Sequence, residues 1–189
     1  MSNLTGQVIA ITVAASGIGL KTSHRTFYLG AKLSLCDINP ENLVRMRDSL
    51  LAAHPSRAAA DIFIRRVDVS ANDDIEAWVS ETVRTFGQLD AAVNVAGVGF
   101  SNTPLRDMSD DEWHGTMNVN LNGVFYSMRA ELRVMREEAR IVNIASSASV
   151  IAVPRCSAYG AAKRAIIGLT TIAAHEESTR GIRINAVAP

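Results

Sequence analysis

The sequence has few of the features that mark secreted, membrane-bound or nucleic-acid-binding proteins. Only two of its 189 residues are cysteine, Cys36 and Cys156, which are too few for a disulfide framework. Basic and acidic residues are equally frequent, at 19 each, so the charge gives no reason to expect a nucleic-acid partner. The N-terminus lacks a basic patch followed by an apolar run, and no stretch offers the ~20 apolar residues that cross a bilayer. We therefore expect a cytoplasmic protein with no membrane partner.

Metal ligands are also missing from the pattern. The four histidines are scattered without metal-ligand spacing: His24, His54, His114 and His175. Cys156 lies three residues before Tyr159, but no histidine or other base can be paired with it as for a nucleophile. We expect no metal site, and we expect Cys156 to pack or to form part of a pocket wall.

Short apolar runs alternate with longer amphipathic segments along the whole chain. The runs predict six strands, at 8–11, 33–37, 62–67, 91–94, 141–144 and 182–187. The segments between them predict helices at 17–29, from Pro40 onward, near 75–86 with Asn72 or Asp73 as the cap, at about 110–138, and at about 157–179. Continuous apolar strands alternating with helices are typical of a parallel sheet covered on both faces. The sequence thus predicts one α/β domain over residues 1–189, with a doubly wound parallel sheet.

The turn after the first strand predicts a phosphate site. It has the sequence Thr-Val-Ala-Ala-Ser-Gly-Ile-Gly over residues 12–19 and leads into a helix. A helix N-terminus offers free N–H groups to a pyrophosphate, and glycine lets the backbone approach it. Asp37 ends the second strand, where an acid holds ribose hydroxyls and disfavours a 2′-phosphate, which favours NAD over NADP. A turn that only packs helix on strand, with Asp37 as a helix cap, is the other interpretation.

A tyrosine, a lysine and a serine predict proton-transfer chemistry. Tyr159 and Lys163 stand four residues apart, so they share one face of a helix, and Ser146 precedes the tyrosine by thirteen residues. The ammonium of Lys163 is expected to favour the phenolate of Tyr159, which can then serve as a general base near neutral pH. Ser147 and Ser149 are alternatives to Ser146. Taken singly, the tyrosine suits a core position, the lysine a solvated face and the serine a loop.

Together these motifs resemble the short-chain dehydrogenase/reductase family over nearly the whole chain. Residues 12–19 are similar to its TGxxxGIG turn, Asp68-Val69 to the pair that closes its third strand, and residues 94–97 to its NNAG motif. The segment 118–121 resembles the family's catalytic asparagine segment, and residues 183–189 resemble the strand before its PG motif. The resemblance implies a Rossmann-like three-layer sandwich and a homodimer or homotetramer.

The resemblance also implies site residues and a reaction. The catalytic residues would be Asn120, Ser146, Tyr159 and Lys163. The cofactor-binding residues would be Ser16, Gly17, Ile18, Gly19, Asp37, Asp68, Val69, Asn94, Ala96, Gly97, Tyr159 and Lys163. The implied reaction interconverts a small secondary alcohol and a ketone with NAD, or else NADP, and Tyr159 moves the proton. Arg129 stands where some relatives touch the cofactor or a partner subunit.

The sequence departs from the family pattern in two places. Val13 occupies the first glycine of the turn, where a branched side chain is expected to crowd the cofactor and weaken its binding. The sequence also ends at Pro189, without the C-terminal segment that relatives use for the substrate lid and an edge strand. An alternative hypothesis is therefore a non-redox protein on the same scaffold, such as a cyclase, an isomerase or an inactive scaffold with impaired cofactor binding.

Overall fold

A computed structural model describes residues 3–189. Six parallel strands form one sheet in the order β3-β2-β1-β4-β5-β6. The strands are β1 Val8–Thr12, β2 Lys32–Asp37, β3 Ile62–Arg66, β4 Ala91–Asn94, β5 Arg140–Ile144 and β6 Arg183–Val187. The principal helices are α1 Gly17–Tyr28, α2 Pro40–Ala53, α3 Asn72–Phe86, α4 Asp110–Met117, α5 Gly123–Val134 and α6 Ser157–Glu176. The predicted doubly wound parallel sheet is confirmed.

Each face of the sheet is covered by its own hydrophobic core. Strand β1 is buried throughout, and its side chains alternate between the two cores, as the pleat of a strand requires. Ile9 and Ile11 pack with α1 and α2, whereas Val8 and Ala10 pack on the side of α3, α5 and α6. The continuous apolar runs in the sequence therefore reflect burial on both faces.

The predicted helix over 110–138 is wrong in its interior and at its end. Helix α4 stops at Met117, a π-helical turn spans Asn118–Asn122, and α5 runs only to Val134. The side chain of Asn120 donates through Nδ2 to the Thr116 carbonyl at 3.0 Å, the acceptor that the Asn120 N–H would use in an α-helix. At the end of this turn the Gly123 N–H donates to the Asn118 carbonyl, five residues back, as in a π-helix. The π-helical turn thus lies where the Asn120 side chain uses a carbonyl of the preceding helix.

The predicted cap of α3 is also wrong. Asn72 is the first helical residue, and Ala71 occupies the cap position without a side-chain hydrogen bond. The Asn72 side chain is instead used by Arg129, whose guanidinium donates to Oδ1 at 2.6 Å. Acidic residues in the first turn, Asp73 and Asp74, stabilise this N-terminus through the helix dipole.

The strand order reverses between β1 and β4. In open parallel sheets a crevice forms at such a point, beyond the carboxyl ends of the strands. The segments after β1, β4 and β5 all leave the sheet at this edge, so the residues that follow these strands meet there. In the part of the chain that the structure describes, none of the helices has the length and apolar character needed to span a membrane.

Candidate active site

Two adjoining cavities occupy the crevice at the carboxyl edge of the sheet. The larger has a volume of about 390 Å³ and the smaller about 280 Å³. The larger cavity is lined by residues that include Ser16, Gly17, Ile18, Gly97, Ser146, Tyr159 and Lys163. The smaller is lined by residues that include Asp37, Asp68, Val69, Ala96 and Gly97. Most of the predicted site residues therefore surround one crevice.

Tyr159 and Lys163 both face the larger cavity from the first turns of α6. The Lys163 Nζ lies 5.7 Å from the centroid of the Tyr159 ring, as the four-residue spacing on a helix requires. A phenol and an ammonium are thus held side by side at the wall of a cavity that a small molecule can enter. The loop after β4 adds Phe100, whose ring packs edge-on against Tyr159 at 6.2 Å between centroids.

Lys163 is a buried cation without an anionic partner. Its side chain is 3% exposed, and Nζ donates to the Ile144 carbonyl at 2.8 Å. Among the described residues, no carboxylate oxygen lies within salt-bridge distance of it. Burial in a site of low polarity disfavours the charged form and lowers the pKa of Lys163 to about 8. This ammonium can therefore change its charge close to neutral pH.

Gly97 lines the larger cavity beside Lys163, and the buried Asn120 lies against position 97. The Asn120 Oδ1 atom is buried and has no hydrogen-bond partner among residues 3–189. A Cβ atom at position 97 would lie 2.7 Å from that oxygen and 3.3 Å from the Lys163 Nζ. A side chain at position 97 would therefore displace the ends of these two side chains, because the backbone passes close to both. A buried acceptor without a partner, next to a buried cation, is a feature of a functional site.

Of the three candidate serines, only Ser146 lies on the cavity. Ser146 follows β5 and lines the larger cavity together with Tyr159, whereas Ser147 and Ser149 do not line it. Ser149 is buried, and its Oγ accepts a hydrogen bond from the Ser146 N–H at 3.2 Å. The Ser146 Oγ in turn accepts a hydrogen bond from the Ala148 N–H at 3.3 Å. The short turn over 147–149 therefore fixes Ser146 at the cavity wall.

The phosphate-type turn and the two acids frame the smaller cavity. Asp37 ends β2, is buried, and accepts hydrogen bonds from the Ala15 N–H at 3.3 Å and the Asn39 N–H at 3.0 Å. These bonds tie the turn after β1 to the end of β2. Asp68 accepts from the Ser70 hydroxyl at 2.7 Å and from the Ser70 N–H at 3.0 Å, and these bonds lower its pKa. Two carboxylates thus stand at the end of the crevice away from Tyr159.

Besides Asn120, two residues of the predicted site lie outside both cavities. Gly19 packs under the turn, where a Cβ atom would lie 2.1 Å from the Val13 carbonyl oxygen. Asn94 is buried beneath the crevice, and its Nδ2 donates to Asn143 Oδ1 at 3.0 Å and to Glu131 Oε2 at 3.1 Å. Both residues support the walls of the crevice from behind and do not face it.

The sequence patterns did not single out Glu131. This residue of α5 is fully buried, and burial raises its pKa to about 7 although the hydrogen bond from Asn94 opposes the shift. Its Oε1 and the Asn94 Oδ1 have no partner among the described residues. A glutamate in a helix is ordinary by sequence, so the only available signal was its position on the apolar stripe of α5, between Met128 and Met135.

Comparison with known proteins identifies the family. The short chain dehydrogenase family matches residues 7–189. Chanoclavine-I dehydrogenase of Aspergillus fumigatus is 39% identical over an alignment 199 positions long, which covers 100% of this chain and 75% of that protein. The structure of levodione reductase superposes with a TM-score of 0.94 at 35% identity, covering 99% of this chain and 72% of that one.

A third similar protein has been solved with a bound nucleotide. It is a short-chain dehydrogenase/reductase from Burkholderia phymatum in complex with NAD, with a TM-score of 0.92 at 31% identity, and the match covers 100% of this chain and 67% of that one. The chain belongs to the short-chain dehydrogenase/reductase family. The predicted family and the prediction of an oxidoreductase are therefore confirmed.

Proposed function

We propose that the chain interconverts a secondary alcohol and a ketone with NAD(H), with Tyr159 as the general acid and base. The observation that carries this proposal is that Tyr159, Lys163 and Ser146 converge on one cavity, beside the turn that opens α1. A phenol, a cation and a hydroxyl in one wall supply what an alcohol or carbonyl oxygen needs during proton transfer. The nicotinamide of a bound dinucleotide would supply or accept the hydride.

Each of the four predicted catalytic residues has a defined part in this mechanism. Tyr159 takes the proton from a substrate alcohol, or returns it to a carbonyl in the reductive direction. Ser146 donates a hydrogen bond to the same substrate oxygen and fixes its position. Lys163 places its charge beside the Tyr159 phenol and would bind ribose hydroxyls of the nucleotide, and the buried Oδ1 of Asn120 would hold a water molecule that links Lys163 to solvent.

The residues of the crevice fit a dinucleotide, and we propose NAD over NADP. Glycine at position 97 leaves the backbone free to approach a ligand, and Ser16, Gly17 and Ile18 present the N-terminus of α1 to a pyrophosphate. Asp37 stands at the end of β2, where its carboxylate suits ribose hydroxyls and repels a 2′-phosphate. The complex of the Burkholderia relative with NAD supports the same choice.

The test combines cofactor binding with turnover. Purified protein is titrated with NADH while nucleotide fluorescence is followed, and is then assayed with secondary alcohols and ketones that include chanoclavine-I and levodione. We expect NADH to bind more tightly than NADPH, and we expect turnover of at least one compound that disappears in the variant Tyr159→Phe. Unchanged turnover in that variant would contradict the assigned role of Tyr159.

A second candidate function is a non-redox role on the same scaffold, as a cyclase, an isomerase or an inactive scaffold. The observation that favours it is the turn at Val13, whose φ of 50° is strained for a branched residue. Absence of NADH binding in the same titration selects this candidate.

Assembly and location complete the proposal. We propose a cytoplasmic homodimer or homotetramer that associates through the helices next to Asn120 and Tyr159. Exposed apolar side chains on these helices support it, namely Phe125 and Val134 on α5 and Ile172 on α6. Light scattering coupled to gel filtration tests the assembly, and a monomer at micromolar concentration would contradict it.

A further inference from the structure

We propose that Val13 sets how tightly this chain holds a dinucleotide, because its side chain lies at the junction between the two cavities of the crevice. This inference rests on the proposed function, and it identifies the residue of this chain that limits cofactor affinity. The Val13 side chain affects the ligand, whereas the strained Val13 backbone affects folding.

The junction is defined by the residues that both cavities share, namely Val13, Ser16, Gly97 and Val98. A dinucleotide that reaches both Asp37 and Tyr159 has to pass between these residues. Gly97 adds no side chain there, whereas Val13 adds two methyl groups and is only half-buried. Val13 is therefore the branched side chain of the β1–α1 turn that borders both halves of the path.

The backbone holds the Val13 side chain in place. Its φ of 50° lies in the left-handed region, where a β-branched residue is strained by about 1–3 kcal/mol. The turn cannot rotate freely to relieve this strain. The Ala14 N–H donates to the Cys36 carbonyl at 3.0 Å, and the Val13 carbonyl oxygen lies directly against the backbone of Gly19.

These two properties of Val13 have different consequences. Strain in the turn lowers the stability of the folded chain whether or not a ligand is bound. The methyl groups, by contrast, matter only when a ligand is bound, and they border both cavities. A mononucleotide in the cavity beside Asp37 and Asp68 meets them from one side only, so it should be affected less than a dinucleotide that passes through the junction.

The experiment compares Val13→Gly and Val13→Ala with a matched control. Glu138 also has a left-handed φ, of 61°, but it lies at the amino-terminal edge of the sheet beside Asp90, far from the crevice. Glu138→Gly therefore relieves a similar backbone strain without touching the junction. Each protein is titrated with NADH and with AMP by fluorescence and calorimetry, and its thermal unfolding is measured without ligand.

We expect Val13→Gly to bind NADH about tenfold more tightly than the parent, a change of about 1.4 kcal/mol. Val13→Ala should gain a smaller part of that affinity, because it retains Cβ and the strained backbone. The AMP affinity of both should rise by less than the NADH affinity, by about threefold at most. Val13→Gly and Glu138→Gly should both melt at a higher temperature, and Glu138→Gly should bind NADH like the parent.

Two results would overturn the inference and leave the proposed function intact. An equal gain for NADH and AMP would assign Val13 to the adenosine end alone. A higher melting temperature without tighter NADH binding would reduce Val13 to a strained structural residue. Failure of all the proteins, including Val13→Gly, to bind NADH would instead contradict the proposed function itself.

Discussion

Lys163 and Glu131 are two buried ionisable side chains of opposite sign, and their surroundings differ in one decisive respect. Lys163 borders the larger cavity, beside Tyr159. Glu131 is enclosed between α5 and the sheet, and only the side chain of Asn94 donates to it among the described residues. Burial shifts both pKa values toward neutrality, to about 8 and about 7. Desolvation alone therefore does not mark a catalytic group, because a substrate in the larger cavity can reach Lys163 but not Glu131.

Removing the hydroxyl of Tyr159, which lies on the larger cavity beside Lys163, should have the largest effect on turnover. Tyr159→Phe keeps the ring and its contact with Phe100, and it deletes only the group that carries the proton. We expect kcat to fall by about 10³-fold, within the range of general acid–base catalysis, with little change in NADH affinity. Steady-state kinetics and an NADH titration measure the two quantities, and a loss of less than tenfold would remove Tyr159 from the mechanism.

Replacing Lys163 should lower the activity of the protein but raise its stability near neutral pH. Lys163→Met should lower kcat/KM by about 10²-fold. Desolvation holds the folded pKa of Lys163 below its ordinary value of 10.5, so the unfolded chain binds the proton more tightly and folding is opposed most strongly below pH 8. The stability of the parent should therefore rise between about pH 8 and pH 10.5, relative to the variant.

Denaturant unfolding of the two proteins across that range tests this expectation. The variant should be the more stable protein near pH 7 and should lose that advantage as the pH rises. An advantage that does not change with pH would mean that Lys163 is solvated in the folded chain.

The charge of Asp37 should decide between the two nucleotides. Asp37→Asn removes the negative charge and keeps one of the two acceptor oxygens, so one of the Ala15 and Asn39 N–H groups loses its side-chain partner. We expect the ratio of NADH to NADPH affinity to fall by about tenfold, because repulsion of a 2′-phosphate is removed. Asp68→Asn is the matched control, and an equal change of the ratio in both variants would contradict a specific role for Asp37.

Replacing the buried Glu131 should have the smallest effect on turnover. Glu131→Gln is nearly isosteric and should leave kcat within about twofold of the parent. The folded pKa of Glu131 is raised, so its ionisation opposes folding, and the stability of the parent should fall as the pH rises from about 4.5 to about 7. The variant should lack this decrease and should be more stable above pH 7 by roughly 3 kcal/mol.

Urea unfolding at several pH values measures this difference. A flat difference between parent and variant would place Glu131 in contact with solvent. A loss of turnover in Glu131→Gln would break the distinction between the two buried charges.

The elements and the site differ in how far the sequence could predict them. Strict alternation of apolar runs and amphipathic segments determined the sheet and most of the helices, because burial on both faces leaves a strong pattern. The break in the helix at Asn120 could not be predicted, since a hydrogen bond from one side chain to a helix carbonyl, as from Asn120 to Thr116, leaves no mark in the hydrophobic pattern. The Ile144 carbonyl that binds Lys163 has no sequence signal at all, because every residue carries the same group.

Close approaches in space explain the remaining differences. The positions of Tyr159 and Lys163 followed from helical spacing, but their burial depends on how the loops after β4 and β5 fold over them. Asn94 belongs to a motif that predicts contact with a cofactor, yet it points into the polar cluster around Glu131. Pairings of this kind join residues far apart in the chain, such as Asn94 and Glu131, and a single sequence does not encode them locally.

Hydride transfer assisted by Tyr159 is tested most directly with NADH that carries deuterium at both hydrogen positions of the transferring carbon. A ketone that the protein reduces is incubated with this nucleotide, and the product is examined by mass spectrometry. We expect one deuterium atom on the new carbinol carbon with the parent protein, and about 10³-fold less labelled product in the same time with Tyr159→Phe. A product without deuterium, or equal amounts of labelled product from both proteins, would contradict the account.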